Sequence, residues 1–297
     1  MDNNIKKKAF FTEFIKWEYL PKKLSIKQLI QEKLIQAIAL YQQQSLDVNY
    51  FPEISPFLAE KIILCPLDGS SKKLVYRCAI PFFMANISKL SPLYIADCLI
   101  ALLNNQSKPI ASQECFEVAI YVTKSGWIDF CISDRSLVIW LNQLVTEIKV
   151  NASFSPEKIL VNKSKVLDKL FPLQYIYGRC FSLLNLGIAE KVINFKADKF
   201  TLKSDNLLEK LWLLNPQEKN LIRQICLMMD YLALKKTYDF KHWREFTRNL
   251  SEVWLEFVPH CQFCKNEGDR LKIIFITQYC IHEILILNFG ITPQTEI

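Results

Sequence analysis

The sequence predicts an α+β domain followed by an all-α helical bundle. Three observations lead there. A chain of 297 residues exceeds the roughly 100–200 residues usual for one domain, so two are expected. Strand-like segments are confined to residues 61–132, and beyond 164 only helical periodicity remains. A polar stretch with one proline, 151–164, lies between and reads as a linker. The expected division is therefore a basic, aromatic segment over 1–23, an α+β domain over 24–150, the linker, and a helical domain over 165–297.

The first segment carries Lys6 to Lys8 with Phe10, Phe11, Phe14, Trp17 and Tyr19 before Pro21. It reads as a basic arm for RNA or as a short helix packed on the body. The number of aromatics favours packing. From Ser25 to Tyr41, Leu29, Ile30, Leu34, Ile35, Ile38 and Ala39 recur at helical spacing behind a serine suited to cap the helix. Strands are expected over Lys61 to Cys65, Leu74 to Cys78, Cys115 to Val122 and Trp127 to Ile132. The last two are separated by Thr123, Lys124, Ser125 and Gly126, the composition of a hairpin connection. Between the second and third strands, Ser91 and Pro92 open a helix through Leu103, with proline at its favoured first position, and a further helix covers about Ser136 to Ile148. In the second half, helices are expected at about 165–187, 205–213, 216–235, 239–258 and 267–289.

Composition excludes several function classes. The six glycines are scattered, with no two within eight residues, so neither a Rossmann fingerprint nor a P-loop is present. The net charge of +7 divides into +3 for residues 1–150 and +4 for the rest, an excess that permits a polyanionic partner without demanding one. Ten cysteines without an apolar leader at the start point to reduced thiols and a cytoplasmic location, and most sit in apolar strings where a thiol packs as a small hydrophobe. No uninterrupted apolar run reaches the ~18 residues of a membrane span. Gln278, His282 and Glu283 interrupt the longest candidate, Ile273 to Leu287.

Catalytic constellations are equally sparse. His242, His260 and His282 have no histidine partner at ligand spacing. Cys261 and Cys264 form a single CxxC without the second pair that tetrahedral zinc requires, and read as packing thiols. Asp129 and Asp134 flank a strand and a turn with no apolar pocket evident to raise a pKa, and no GxSxG elbow exists. The expectation is a protein that is not an enzyme, with no cofactor and no metal.

The string Phe171-Pro172-Leu173-Gln174-Tyr175-Ile176-Tyr177-Gly178-Arg179-Cys180-Phe181-Ser182 resembles the entry to the DALR anticodon-binding domain of arginyl-tRNA synthetases. Gln174, Tyr175, Arg179 and Ser182 match its pattern, whereas Ile176, Tyr177 and Gly178 depart from it. Pro216, Glu218, Leu221 and Ile222 resemble that family's L-x-x-P-x-E-x-x-L-I helix start, and Leu250 and Phe257 fall within a segment similar to its aromatic helix. Asp269-Arg270-Leu271 and Phe289-Gly290-Ile291-Thr292 are similar to its closing motifs. In the first half, Tyr76, the Ser91-Pro92 helix and Val122 to Phe130 resemble the amino-terminal domain of the same synthetases, which docks near the D-loop of tRNA. There the family's asparagine falls on Ala79 and its lysine on Asn86, with an aromatic at Phe82. The catalytic domain that carries H-I-G-H and K-M-S-K-S in those enzymes has no counterpart between the two halves.

The resemblance implies a non-catalytic tRNA-binding protein that grips the anticodon arm of an arginine-type tRNA. Anticodon bases are read by aromatic stacking and base-edge hydrogen bonds, while lysine and arginine hold phosphates. Gln174, Tyr175, Tyr177 and Arg179 supply those chemistries, with Gly178 small enough for a close backbone approach. Lys165, Lys169, Arg244 and Arg248 are expected to line a basic groove, and Phe82 and Trp127 to contact tRNA from the first domain. Tyr175 and Tyr177 also fit a core. The alternatives are an adaptor or structural subunit of a protein complex, or the tRNA-binding part of a synthetase or tRNA-modifying enzyme acting in trans.

Overall fold

A computed structural model describes residues 10–17, 25–44, 60–65, 74–105, 116–148, 164–196, 199–202, 214–234, 240–260 and 267–293. The chain forms two compact units, Met1–Ile139 and Trp140–Ile297.

The first unit is built on a five-stranded antiparallel sheet in the order β1-β4-β5-β3-β2. Its strands are β1 (Phe10–Trp17), β2 (Ile62–Cys65), β3 (Leu74–Cys78), β4 (Phe116–Val122) and β5 (Ile128–Ile132). The expected strands are present, with ends shifted by a residue at most. The amino-terminal segment departs from expectation: residues 10–17 form an edge strand along β4, not a short helix. Its alternation is broken by a register shift between Phe11 and Glu13, and its partner lies about a hundred residues away, so local pattern could not reveal the pairing.

Alternation sets the sheet's buried face. Leu74, Tyr76 and Cys78 of β3, Val118 and Ile120 of β4, and Ile128, Phe130 and Ile132 of β5 are all buried. Helices α1 (Ile26–Gln44), α2 (Ile80–Ser88) and α3 (Pro92–Asn105) belong to this unit, with α3 packing on α1, α2 and β4. Ser25 caps α1 as expected, its hydroxyl accepting from the Gln28 amide at 3.3 Å. The short α2 was not among the helices expected from periodicity. Its sequence, Ile-Pro-Phe-Phe-Met-Ala-Asn-Ile-Ser, is apolar nearly all round and so shows no amphipathic rhythm. Between α2 and α3 the chain bends by 117° through Lys89, which has a left-handed φ of 60°.

Helix α4 (Asp134–Glu147) starts at Ser133, whose hydroxyl accepts from the Ser136 amide at 3.1 Å. The Ser136 hydroxyl is itself buried. It accepts from the Glu117 amide and donates to the Glu117 carbonyl, both at 2.8 Å, and so ties the helix start to β4. The division between the two units falls inside α4.

The second unit contains α5 (Ser164–Ala189), a hairpin of β6 (Ile193–Lys196) and β7 (Lys199–Leu202), then α6 (Pro216–Leu234), α7 (Phe240–His260) and α8 (Glu267–Ile284), which ends in a π-helical turn, Leu285–Phe289. The α-helices form a bundle in which α5 and α6 each pack on both α7 and α8. The unit is not all-α as expected, because the hairpin interrupts it. The alternation in Ile193-Asn194-Phe195-Lys196 carries that signal in the sequence. Helix 205–213 and linker residues 151–163 lie outside the described residues.

Gly268–Phe289 is long and apolar enough to cross a membrane by composition, yet 67% of its most apolar window is buried inside the structure, as befits a core helix. Ile273, Ile274, Phe275, Ile276, Thr277 and Gln278 are buried in succession, so α8 is enclosed on all sides over this stretch. Lys272 is buried here too, its ammonium donating to Asn142 Oδ1 at 2.7 Å and Asp269 Oδ1 at 2.9 Å within the second unit.

Gly126 closes the β4–β5 turn at φ 93°, and a Cβ there would meet the Pro92 carbonyl carbon at 2.7 Å and the Leu93 nitrogen at 2.8 Å. Both obstacles are backbone and cannot swing aside. Gly126→Ala should destabilise the first unit by about 2–4 kcal/mol, from positive φ and overpacking together. Chemical denaturation followed by circular dichroism measures this, and an unchanged midpoint would contradict the packing described.

Candidate nucleic-acid interface

Helical periodicity sorts the string that runs from Phe171 to Ser182 onto two faces of α5. Leu170, Leu173, Ile176, Tyr177, Cys180, Leu183 and Leu184 are buried and form the stripe that packs on α7 and α8. Phe171, Tyr175, Arg179, Ser182 and Leu186 are exposed on the other side. Pro172 lies inside the helix, where it removes one intrahelical hydrogen bond between the exposed aromatics Phe171 and Tyr175.

This sorting divides the expected site. Tyr175 is 39% exposed and Arg179 is exposed one turn later, so these two share an accessible face. Tyr177 is 2% exposed and belongs to the core, which corrects its assignment as an RNA contact. Burial pushes its phenol well above the usual tyrosine range, and its ring stacks on His282 at a centroid distance of 6.2 Å. Gln174 is also buried, at 8% exposure. Gly178 is enclosed, and its carbonyl accepts from the Ser182 hydroxyl at 3.0 Å, so it offers no approach for an RNA backbone. His282 is half-buried between Tyr177 and Glu283, in line with a packing role.

Arg244 and Arg248 are exposed on α7, which packs on α5. Arg248 makes only a loose surface pair with Glu252, at 3.8 Å with both side chains 67% exposed. Lys165 and Lys169 lie in the first turns of α5, and their side chains are outside the described residues. Phe171 is the residue that sequence reasoning passed over. At 54% exposure it stands four positions before Tyr175 on the same face, and that spacing was visible in the sequence.

In the first unit, Phe82 and Trp127 do come together. Their ring centroids are 4.9 Å apart at 54°, and both are half-buried. Arg77 lies over Trp127 at 5.8 Å while donating through Nε and Nη2 to both carboxylate oxygens of Asp129, at 2.7 and 2.8 Å. Arg77 and Asp129 are directly opposite on β3 and β5, so the sheet register makes the pair. Asp129 is thus held by an arginine. Leu90, Leu93 and Tyr94 are exposed around the bend between α2 and α3.

Two motif positions that are far apart in sequence meet in the second unit. Asn215 and Glu218 form a reciprocal cap at the start of α6. The Glu218 amide donates to Asn215 Oδ1 at 2.7 Å, and the Asn215 amide donates to Glu218 Oε2 at 2.9 Å. The other oxygen of Glu218 accepts from Arg270 Nε at 3.1 Å, with Glu218 only 2% exposed. One buried carboxylate therefore closes the end of α6 and fixes the first turn of α8.

Among the described residues, no group of three or more His, Cys, Asp or Glu side chains could hold a metal ion. Cys261 and Cys264 lie outside those residues. Cys78, Cys180, Cys226 and Cys280 are buried, and desolvation pushes the Cys78 thiol up to about 12 and raises those of Cys180 and Cys280. No protein-family model, curated protein or solved structure matches the chain.

Glu218→Ala should destabilise the second unit by about 3 kcal/mol or more, since it strands a partly buried arginine and removes a helix cap. Glu218→Gln, which retains the cap but not the charge, should cost less. Thermal melting of the two variants provides the comparison, and equal, negligible shifts would refute the junction's role. A second measurement follows from burial of the thiols: in native protein a disulfide reagent should spare Cys78, Cys180, Cys226 and Cys280 until denaturant is added, with half-buried Cys98 and Cys131 reacting ahead of them.

Proposed function

We propose that the chain is a non-catalytic tRNA-binding protein of the cytoplasm, related to arginyl-tRNA synthetases through an amino-terminal tRNA-binding domain and a DALR anticodon-binding domain. It recognises the anticodon arm of arginine-type tRNAs through the exposed face of α5. The observation that carries this reading is the placement of Tyr175 and Arg179 one turn apart on that face, a stacking platform beside a cation.

Further support comes from the residues that carry the resemblance. Glu218 of the helix-start motif and Arg270 of the closing motif bind each other, which gives both a reason to occur together. In the first unit, Phe82, Trp127 and Arg77 supply an aromatic pair with a cation over one ring, a surface suited to a nucleotide outside the helical domain. The chain's chemistry is restricted to holding RNA, because neither half carries the nucleotide signatures of the ligase.

A second reading is favoured by Leu186 and Ile188 on α5 and by Ile286 and Leu287 in the π-turn, all exposed apolar side chains. These suit a protein partner, such as a tRNA-modifying enzyme to which the chain delivers tRNA, or a complex in which it is an adaptor.

The purified chain should show no aminoacylation and no ATP-dependent pyrophosphate exchange. Exchange in a preparation free of host synthetase would contradict the reading. Binding of tRNA should be micromolar or weaker and salt-sensitive, with a log-log slope of about −0.7 to −0.9 per neutralised phosphate. Tyr175→Ala should erode the preference among tRNAs, whereas Lys169→Ala should weaken all of them alike. A folded Tyr175→Ala, Arg179→Ala double variant that binds every tRNA as the parent does would refute anticodon reading.

A further inference from the structure

We propose that Phe171 and Tyr175 clamp a single unpaired RNA base between their rings, with Arg179 holding an adjacent phosphate. This rests on the reading of α5 as an RNA-binding face and adds a ligand geometry and a residue, Phe171, to it.

The spacing is the first argument. With a rise of 1.5 Å per residue, side chains four apart on one face emerge about 6 Å apart along the axis. A base stacked at about 3.4 Å from a ring on either side needs about 6.8 Å, a difference that rotation of the two aromatic side chains supplies. Both rings are accessible, at 54% and 39% exposure, and neither has an aromatic partner among the described residues. By contrast, Tyr177, Trp243, Phe200 and Phe257 each have an aromatic neighbour. Neither Phe171 nor Tyr175 is therefore committed to another ring of the described residues.

Charge selects the occupant. Arg179 continues the same face one turn beyond Tyr175 and has no acidic partner among the described residues. It is the only charged residue between Leu170 and Ala189. A hydrophobic helix seated here would bury that guanidinium without a counterion, at substantial cost. An unpaired nucleotide satisfies all three side chains, because its base has two faces to stack and its phosphate is an anion. A paired base has both faces covered by its neighbours, so the clamp discriminates loops from stems.

The test uses the full chain and a hairpin RNA with a seven-nucleotide loop, in which each loop nucleotide in turn is made abasic. Affinity is read by fluorescence anisotropy. One loop position should weaken binding by about tenfold to a hundredfold when its base is removed, as expected for the loss of a stacked base. In Phe171→Ala and in Tyr175→Ala the same removal should cost almost nothing further, while Phe171→Tyr should behave as the parent. Both side chains are exposed, so these variants should melt as the parent does, and the additivity test compares RNAs within each variant. If every abasic position costs the alanine variants as much as the parent, the clamp is overturned while RNA binding by this face survives. If the parent binds no RNA at all, the clamp and the functional reading fall together. If sedimentation then shows parent self-association that Phe171→Ala abolishes, the stripe is a protein-docking face.

Discussion

Burial of one side of α5 is the constraint on which the second unit depends. A helix set between α7 and α8 must present an apolar stripe to both, and Leu173, Ile176, Tyr177, Cys180 and Leu184 provide it. Gln174, Gly178 and Leu183 flank this stripe and are buried with it, whereas 3.6 residues per turn carry the other intervening residues to the opposite side. Phe171, Tyr175, Arg179 and Ser182 are outside for that reason alone. The same geometry that encloses Tyr177 and Gly178 thus makes the aromatic and cationic face available. Truncating Tyr177 would open a core cavity, while truncating Tyr175 removes surface chemistry.

The Glu218 junction performs a different task. Helix α6 needs its first amides satisfied, and α8 needs its start fixed against the bundle. Asn215 Oδ1 accepts the Glu218 amide, and the Glu218 carboxylate links the two tasks, with one oxygen accepting the Asn215 amide and the other the Arg270 guanidinium. Because Glu218 is almost wholly buried, the charge is tolerated only with both partners in place. The first unit uses a comparable device, in which the sheet register sets Arg77 against Asp129 and the guanidinium in turn lies over Trp127.

Much of this was legible in the sequence because it rests on local pattern. The β4–β5 hairpin follows from alternation and a glycine late in its turn, and α1 from its spacing behind Ser25. What escaped local reading depended on distant pairing or lacked a rhythm. Strand β1 pairs with a segment about a hundred residues on, and α2 is apolar nearly all round. The β6–β7 hairpin is different, since its alternation was present but short and flanked by helical segments. At the interface, residue types were legible and faces were only half read. The stripe through Leu173, Ile176 and Cys180 already placed Tyr177 inside and Phe171 outside, whereas treating the motif as one contiguous string assigned Gln174, Tyr175, Tyr177 and Arg179 to RNA and left Phe171 out. The partners of Glu218 and the neighbours of Trp127 required the tertiary structure.

The central claim is that unpaired tRNA bases lie against the exposed face of α5. Ultraviolet cross-linking of the full chain to unmodified tRNA, with the joined peptides and nucleotides identified by mass spectrometry, tests it most directly. The account predicts adducts on the α5 peptide at Phe171 or Tyr175, joined to anticodon-loop nucleotides. Adducts confined to other segments, or to stem nucleotides, in a preparation that demonstrably binds tRNA would contradict it.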